Sequence, residues 1–238
     1  MSQDKMWEYF QTQDLEKFST SVPRLGFLFK QAKKLARGSK IKVLNIGVGD
    51  GWLEKKCLGH DWETFALDPS EKAISRLIRI GVKAKFGHIQ EMPFASESFD
   101  VVFCSEVIEH LADDELKPGL AEIQRILKQG GFLLGTVPFE ENLKNGCVVC
   151  PACGNVFHGL GHQRSFDLQS LELLFTGMFK VETIQAIYFY DWNSLNVKGK
   201  IVASLKKLLV LANVHGANEN IFFVTRKVAP GSLSQEMV

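Results

Sequence analysis

Val43-Leu44-Asn45-Ile46-Gly47-Val48-Gly49-Asp50-Gly51 is the stretch on which the fold turns. It starts as an apolar, β-type run and then breaks into glycine at every second position. Glycine permits backbone conformations and close approaches that a side chain forbids. Seventeen residues beyond Gly51, Asp68 closes a second apolar run, Thr64-Phe65-Ala66-Leu67. A strand, a glycine turn, a helix and an acidic residue ending the next strand is how an α/β sheet grips an adenosine-bearing ligand. The carboxylate accepts hydrogen bonds from ribose hydroxyls. A dinucleotide site would read G-x-G-x-x-G, with its third glycine seating the helix against the strand. Here Trp52-Leu53-Glu54 follows G-x-G-x-G, and no later glycine completes the dinucleotide form.

Outward from this centre, residues 41–137 alternate strand and helix, which implies a parallel sheet covered on both faces. The expected strands are Ile41–Ile46, Thr64–Leu67, Val82–Phe86, Phe99–Cys104 and Phe132–Val137. Between them Gly51–Leu58 reads as a helix. Ser70 caps the next, with Ala73, Ile74, Leu77 and Ile78 on one face, and Asp113 caps a third with the stripe Leu116, Leu120, Ile123 and Leu127. Lys128-Gln129-Gly130-Gly131 ends that helix. Residues 1–40 form a helical extension covering a sheet edge or the ligand, with Phe27, Leu28, Gln31, Ala32 and Leu35 in a rough stripe. Residues 139–165 break the rhythm as a loop-rich insert. Leu168–Phe175 then reads as a helix, Phe179–Tyr190 as a long strand, 192–215 as a helical insert and Asn220–Lys227 as a final strand. The fold class is α/β: a Rossmann-like, doubly wound sheet, mostly parallel with a terminal antiparallel strand, helices on both faces, and one domain over 41–228. A disordered tail is expected from 229.

Length suits one such domain. With 28 basic and 27 acidic residues the net charge is +1. That gives no global electrostatic case for nucleic acid or an anionic membrane and leaves room only for a local basic patch. The N-terminus lacks an apolar signal region, and no run reaches the ~18 apolar residues needed to span a bilayer. A cytoplasmic chain is therefore expected, its five cysteines serving as thiols or metal ligands rather than disulfides. Cys57 and Cys104 lie on apolar runs and read as core.

Three further stretches follow in order: Gly87-His88-Ile89-Gln90-Glu91-Met92-Pro93-Phe94 leading to Ser98-Phe99-Asp100-Val101-Val102, then Ser105-Glu106-Val107-Ile108-Glu109-His110-Leu111, then Ile126-Leu127-Lys128-Gln129-Gly130-Gly131. With the glycine stretch they resemble the D-I-G-x-G-x-G, G-D-x-x-x-L-P-F…S-F-D-V-V, E-V-x-E-H-L and L-K-P-G-G motifs of class I S-adenosylmethionine (SAM)-dependent methyltransferases, in the broad group called type 11 or type 23. The resemblance implies that Gly47, Gly49 and Gly51 pass close to the methionine part of SAM and that Asp68 binds its ribose. It implies that Pro69, Ile89 and Gln90 flank the adenine, and that Ser105 and Glu106 face the reaction centre. Two positions depart from the pattern. Asn45 stands where the family has an acidic residue near the SAM amino group, keeping an acceptor oxygen but losing the charge. His88 stands where an aspartate is usual.

The insert carries a second signal, Cys147-x2-Cys150-x2-Cys153 followed by His158-x3-His162. Two-residue gaps between cysteines and a three-residue gap between histidines suit one tetrahedral zinc ion. Its expected ligands are Cys150, Cys153 and His158 with His162 or Cys147, stapling a lid over the substrate; free thiols and solvated histidines are the plain alternative. The insert also resembles methyltransferase inserts linked to cell-surface sugars and secondary metabolism. A sharper reading joins Glu106, Glu109, His110 and His162 around a hard divalent ion. That set is similar to one in small-RNA 2′-O-methyltransferases, where such an ion binds ribose hydroxyls. For proton removal, His110 and His162 are the candidate bases and Glu109 the orienting carboxylate. The sequence thus predicts methyl transfer to a small polar acceptor, a sugar or metabolite hydroxyl. An RNA 2′-O-methyltransferase and an inactive SAM-binding protein are the alternatives.

Overall fold

The computed structural model describes residues 4–38, 40–192, 194–211, 214–216 and 219–229. The strands are β1 (Lys42–Ile46), β2 (Glu63–Asp68), β3 (Lys83–Phe86), β4 (Phe99–Ser105), β5 (Leu127–Pro138), β6 (Cys147–Val149), β7 (Val156–His158), β8 (Lys180–Ile187) and β9 (Asn220–Arg226). The α-helices are α1 (Asp4–Gln13), α2 (Val22–Leu35), α3 (Trp52–Leu58), α4 (Glu71–Ile78), α5 (Asp113–Ile126), α6 (Leu168–Phe175) and α7 (Val197–Leu211). The main sheet runs β3-β2-β1-β4-β5-β9-β8. Strands β1 to β5 are parallel, and β9 lies antiparallel between β5 and β8. The chain leaves β1 toward one edge and returns at β4 toward the other. That reversal opens a crevice at the carboxyl ends of β1 and β4, where ligands of such sheets bind.

The apolar runs are continuous because both faces of the sheet are covered. Along β4, Val102 and Cys104 join the core with Leu120 and Ile123 of α5 and Phe175 of α6. Val101 and Phe103 point the other way, against Leu28 and Phe29 of α2 and Leu53 of α3. Phe99 sides with Val102 because the β4–β5 register shifts between Phe99 and Val101. Full burial of each such side chain contributes about 1.5–3 kcal/mol, so packing rather than local propensity fixes the helices.

Several boundaries differ from expectation for local reasons. Asp113 opens α5 but does not cap it. Ala112 holds the cap position, its N–H donating to Glu115 Oε2 at 2.8 Å, while Asp113 receives Arg164 at 3.0 Å. Leu127 leaves the α5 stripe because its backbone turns extended and begins β5. Ser70 caps α4 as expected, accepting from the Ala73 N–H, but Ile78 at the end of that helix is 55% exposed. β8 stops at Ile187, short of Tyr190. The insert is not only loop, since β6 and β7 form an antiparallel hairpin within it. The tail expected to lack order from 229 falls, from residue 230 on, outside the described residues.

Candidate active site

A cavity of about 590 Å³ occupies the crevice, with α1, α2 and the 3₁₀ turn Leu15–Ser21 contributing Trp7, Gln11, Phe18 and Arg24 to its wall. Asn45, Gly47, Gly49, Asp68, Pro69, Ile89, Gln90, Ser105 and Glu106 all line it, and so does His88. Gly51 is the predicted cofactor residue that does not. It sits at φ 82° at the start of α3, where an added Cβ would lie 2.7 Å from Leu77 Cδ2. Gly47, at φ 76°, could not carry a side chain either, since its Cβ would come within 2.7 Å of Val107. Both demands follow from a turn that passes between strand, helix and ligand.

Asp68, at the end of β2, is buried. Its Oδ2 accepts the Val48 N–H at 3.0 Å and its Oδ1 the Ser70 N–H at 2.8 Å. Burial pushes its carboxyl upward, while these two N–H groups and Arg76 favour the ionised form. Each oxygen still has a lone pair for a hydroxyl donor. Arg76 braces the glycine turn, donating to Gly49 O at 2.7 Å and to Gln11 Oε1 at 2.8 Å, and so ties α1 to the site.

Glu54 is a site residue that sequence reasoning missed. It is fully buried beneath the glycine turn and accepts Asn45 Nδ2 at 2.8 Å. Burial pushes its carboxyl up to about 7, opposed by the bond from Asn45. Asn45 also reaches Gly47 O at 3.4 Å, so its N–H groups face protein and its amide oxygen is left for a ligand ammonium. The acid missing from position 45 therefore stands one contact behind it. The available signal was a charged residue between the core positions Leu53 and Cys57 of α3.

Beyond β4 a chain of hydroxyls crosses the cavity floor. Arg24 donates to Ser105 Oγ at 3.1 Å, Ser105 meets Thr136 Oγ1 at 2.7 Å, and Thr136 donates to Glu106 Oε1 at 2.8 Å. Asn220 Nδ2 adds a bond to the same Glu106 oxygen at 3.1 Å, and Arg24 stands 3.8 Å from the other. These partners hold Glu106 at φ 55°, a left-handed conformation that a glutamate adopts only when its surroundings demand it.

The 3₁₀ turn Ile108–His110 then points Glu109 inward and His110 to the cavity. Glu109 is fully buried with neither carboxylate oxygen hydrogen-bonded among the described residues, and burial drives its carboxyl well upward. The His110 ring is pushed down to about 3, chiefly by burial and then by the neighbouring His162, so it stays neutral. Trp7 stands edge-on to it at 4.6 Å, and His162 lies 4.6 Å away on its other side. His158 stacks on His162 at 4.6 Å and accepts the His162 N–H through Nδ1 at 3.1 Å. Glu141 takes the His162 Nδ1 in a close hydrogen bond and stands 3.6 Å from His158 Nε2. Gln163 N and Arg164 clamp this stretch onto Glu109 O at 2.8 Å and Leu111 O at 2.6 Å. Trp7 and Glu141 had no sequence signal, because each reaches the cluster only through the fold.

The zinc set expected from spacing is not assembled. Cys150 and Cys153 occupy the hairpin turn, where the N–H groups of Ala152 and Cys153 favour the Cys150 thiolate. His158 lies three strand residues past Asn155, about 10 Å along extended backbone. Cys147 turns its thiol to Leu143 O at 3.3 Å. Among the described residues, the groups able to share an ion are Glu109, His110 and His162, and Glu141, His158 and His162. Neither contains a cysteine, and neither contains Glu106.

Residues 44–135 match a family model described as a methyltransferase domain. A ubiquinone biosynthesis O-methyltransferase of Rhizobium etli is 28% identical over 151 residues, 58% of this chain and 60% of that protein. The chain spans 41% to 60% of the length of curated relatives of this kind. Two solved structures share the fold. One is a chain of the complex between the Haloferax volcanii Trm112 methyltransferase activator and a methyltransferase, with TM-score 0.68 and 15% identity, covering 94% of this chain and 98% of that one. The other is Burkholderia thailandensis 1,6-didemethyltoxoflavin-N1-methyltransferase with bound 1,6-didemethyltoxoflavin and S-adenosylhomocysteine, with TM-score 0.63 and 16% identity, covering 95% and 86%. Over residues 44–135 this chain is thus similar to a methyltransferase domain, on a fold that it shares with solved methyltransferases.

Proposed function

We propose that the chain moves the methyl group of SAM onto a hydroxyl of a small polar acceptor, a sugar or metabolite. The observation that carries this reading is that one cavity joins the glycine turn and Asp68 to the neutral ring of His110. The residues present fit SAM: Gly47 and Gly49 line the cavity with bare backbone, Asp68 keeps lone pairs for ribose, and Asn45 offers an amide oxygen. When bound, SAM supplies a methyl carbon open to in-line displacement, so the protein acts chiefly by positioning. Arg24 and the Ser105 hydroxyl orient the acceptor beside Glu106, which buried Thr136 holds in place. As the acceptor oxygen attacks, its proton passes to the neutral His110 ring that lines the cavity, and burial with His162 beside it, which hold that ring down to about 3, make it a relay rather than a resting place for the proton. His162, held by Glu141, stands behind His110 as the next site for that proton. The name of the Rhizobium etli relative supports oxygen as the methylated atom. Zinc enters no step, since the thiolates and imidazoles do not converge.

One observation favours a second reading, an RNA 2′-O-methyltransferase using a divalent ion. Glu109, His110 and His162 would hold that ion, and it would polarise a ribose hydroxyl. Against it, Glu106 is occupied by Thr136, Asn220 and Arg24, and the net charge is +1. A nuclease-protected RNA co-purifying with the protein would favour it. The leading reading is tested by calorimetry with S-adenosylhomocysteine on wild type and Asp68→Ala. Affinity is expected to fall about ten- to a hundredfold in the variant. Equal affinity in both proteins, or none in wild type, would sink it. Uptake without methyl turnover on any acceptor would mark an inactive SAM-binding protein.

A further inference from the structure

Helix α7 turns its apolar side outward. Val197, Ile201, Leu205 and Leu208 recur at helical spacing, with Val202 and Leu209 beside them, and all six are 47% to 75% exposed. Ala203 is buried on the opposite side, and Lys206 lies over the Tyr188 ring at 4.8 Å. A surface helix ordinarily shows the reverse arrangement, and a contiguous apolar stripe facing water marks a contact surface. The same helix carries Lys198, Lys200, Lys206 and Lys207, and residues 192–216 contain no aspartate or glutamate. In a chain of net charge +1 this is a strongly local basic patch. Trp192, 36% exposed, lies under Lys207 at 4.8 Å.

We propose that α7 docks the protein on an anionic lipid bilayer, with the apolar stripe entering the headgroup boundary and the lysines meeting lipid phosphates. An outward apolar stripe, flanking lysines, no acidic residue and an amphipathic aromatic at the rim are together the chemistry such a surface selects. A second copy of the chain fits poorly. Facing two stripes would crowd the four lysines of each helix together with no carboxylate on either to offset them. The location adds a consequence. α7 connects Ile187 to Asn220, and both pair at the Pro138 end of β5, the carboxyl edge of the sheet where the cavity opens. Docking through α7 therefore brings the cavity edge toward the bilayer. The docking does not depend on which acceptor is methylated.

The test is co-sedimentation of the full chain with vesicles of phosphatidylcholine alone and of equal parts phosphatidylcholine and phosphatidylglycerol, at low and raised salt. Wild type is expected on the phosphatidylglycerol vesicles at low salt, with the bound fraction falling about tenfold in Leu205→Glu with Leu208→Glu. Both leucines are exposed, so that variant should retain the wild-type melting temperature and cofactor affinity. Lys198→Ala with Lys200→Ala should weaken binding and flatten its salt dependence. No binding by wild type, equal binding to both vesicle types, or unchanged binding by the glutamate variant would overturn the proposal. So would a wild-type dimer that the glutamate variant dissolves, because the stripe would then belong to a second copy.

Discussion

The two ends of the cavity are built differently. At the cofactor end, Asn45, Gly47, Glu54 and Asp68 lie within one strand–turn–helix–strand unit, and each acts through backbone or a near neighbour. At the acceptor end, Trp7, Glu109, His110, Glu141, His158 and His162 come from distant stretches and meet only once the chain has folded. A residue type required by a turn announces itself in sequence. A residue whose partner arrives from elsewhere does not, and regular spacing within one segment can then suggest the wrong partner.

The sharpest way to break this comparison is to change one end and watch the other. His110→Ala is expected to lower kcat by about 10²–10⁴-fold, the range for removing a proton acceptor. Affinity for S-adenosylhomocysteine should stay within about twofold, because the ring partners of His110 are Trp7 and His162, at the acceptor end. Rate and affinity falling together would mean that the two ends are one structural unit and that His110 holds it together.

Glu54 tests the cofactor end by pH. Its carboxyl is raised from an ordinary 4.5 to about 7, so the folded state prefers the protonated form. The stabilisation is complete below about pH 4.5 and is lost as pH rises from there through about 7. The loss amounts to about 3 kcal/mol for this fully buried group. Wild type should therefore melt lower at pH 8 than at pH 5 by more than Glu54→Gln does, the glutamine remaining neutral throughout. Parallel melting curves for the two proteins across that range would show that Glu54 does not titrate in this window.

Much of the fold was legible in the sequence. Alternating apolar runs placed β1 to β4 and α6 within a few residues, because strands covered on both faces read as continuous apolar stretches, whereas β5 begins at Leu127 and takes in residues 128–131, the stretch expected to end α5. The ends of elements were less legible. Leu127 fits the α5 stripe at helical spacing, yet its extended backbone belongs to β5. Asp113 has the chemistry of a cap, but the chain enters the helix one residue earlier and gives that position to Ala112. In the site, Gly47 and Asp68 were readable since turn geometry selects them. Glu54 was not, because a glutamate on a helix ordinarily faces water and only packing shows this one buried.

The smallest expected effect concerns the cysteines, where spacing and structure part most clearly. Half-buried Cys150 and exposed Cys153 share the turn of a hairpin, whereas His158 and His162 lie against Glu141 and His110. Cys150→Ser with Cys153→Ser should therefore leave Tm within about 2 °C of wild type, as surface substitutions generally do. Methyl turnover and cofactor affinity should not change. Chelator treatment should move wild type and variant alike, because any ion held near the cavity would sit on carboxylate and imidazole. A chelator-sensitive Tm in wild type that disappears in the double variant would show thiolates holding a metal. The hairpin would then have to bend so that its turn meets its base, joining the acceptor end into one ligand set and removing the contrast drawn between the two ends.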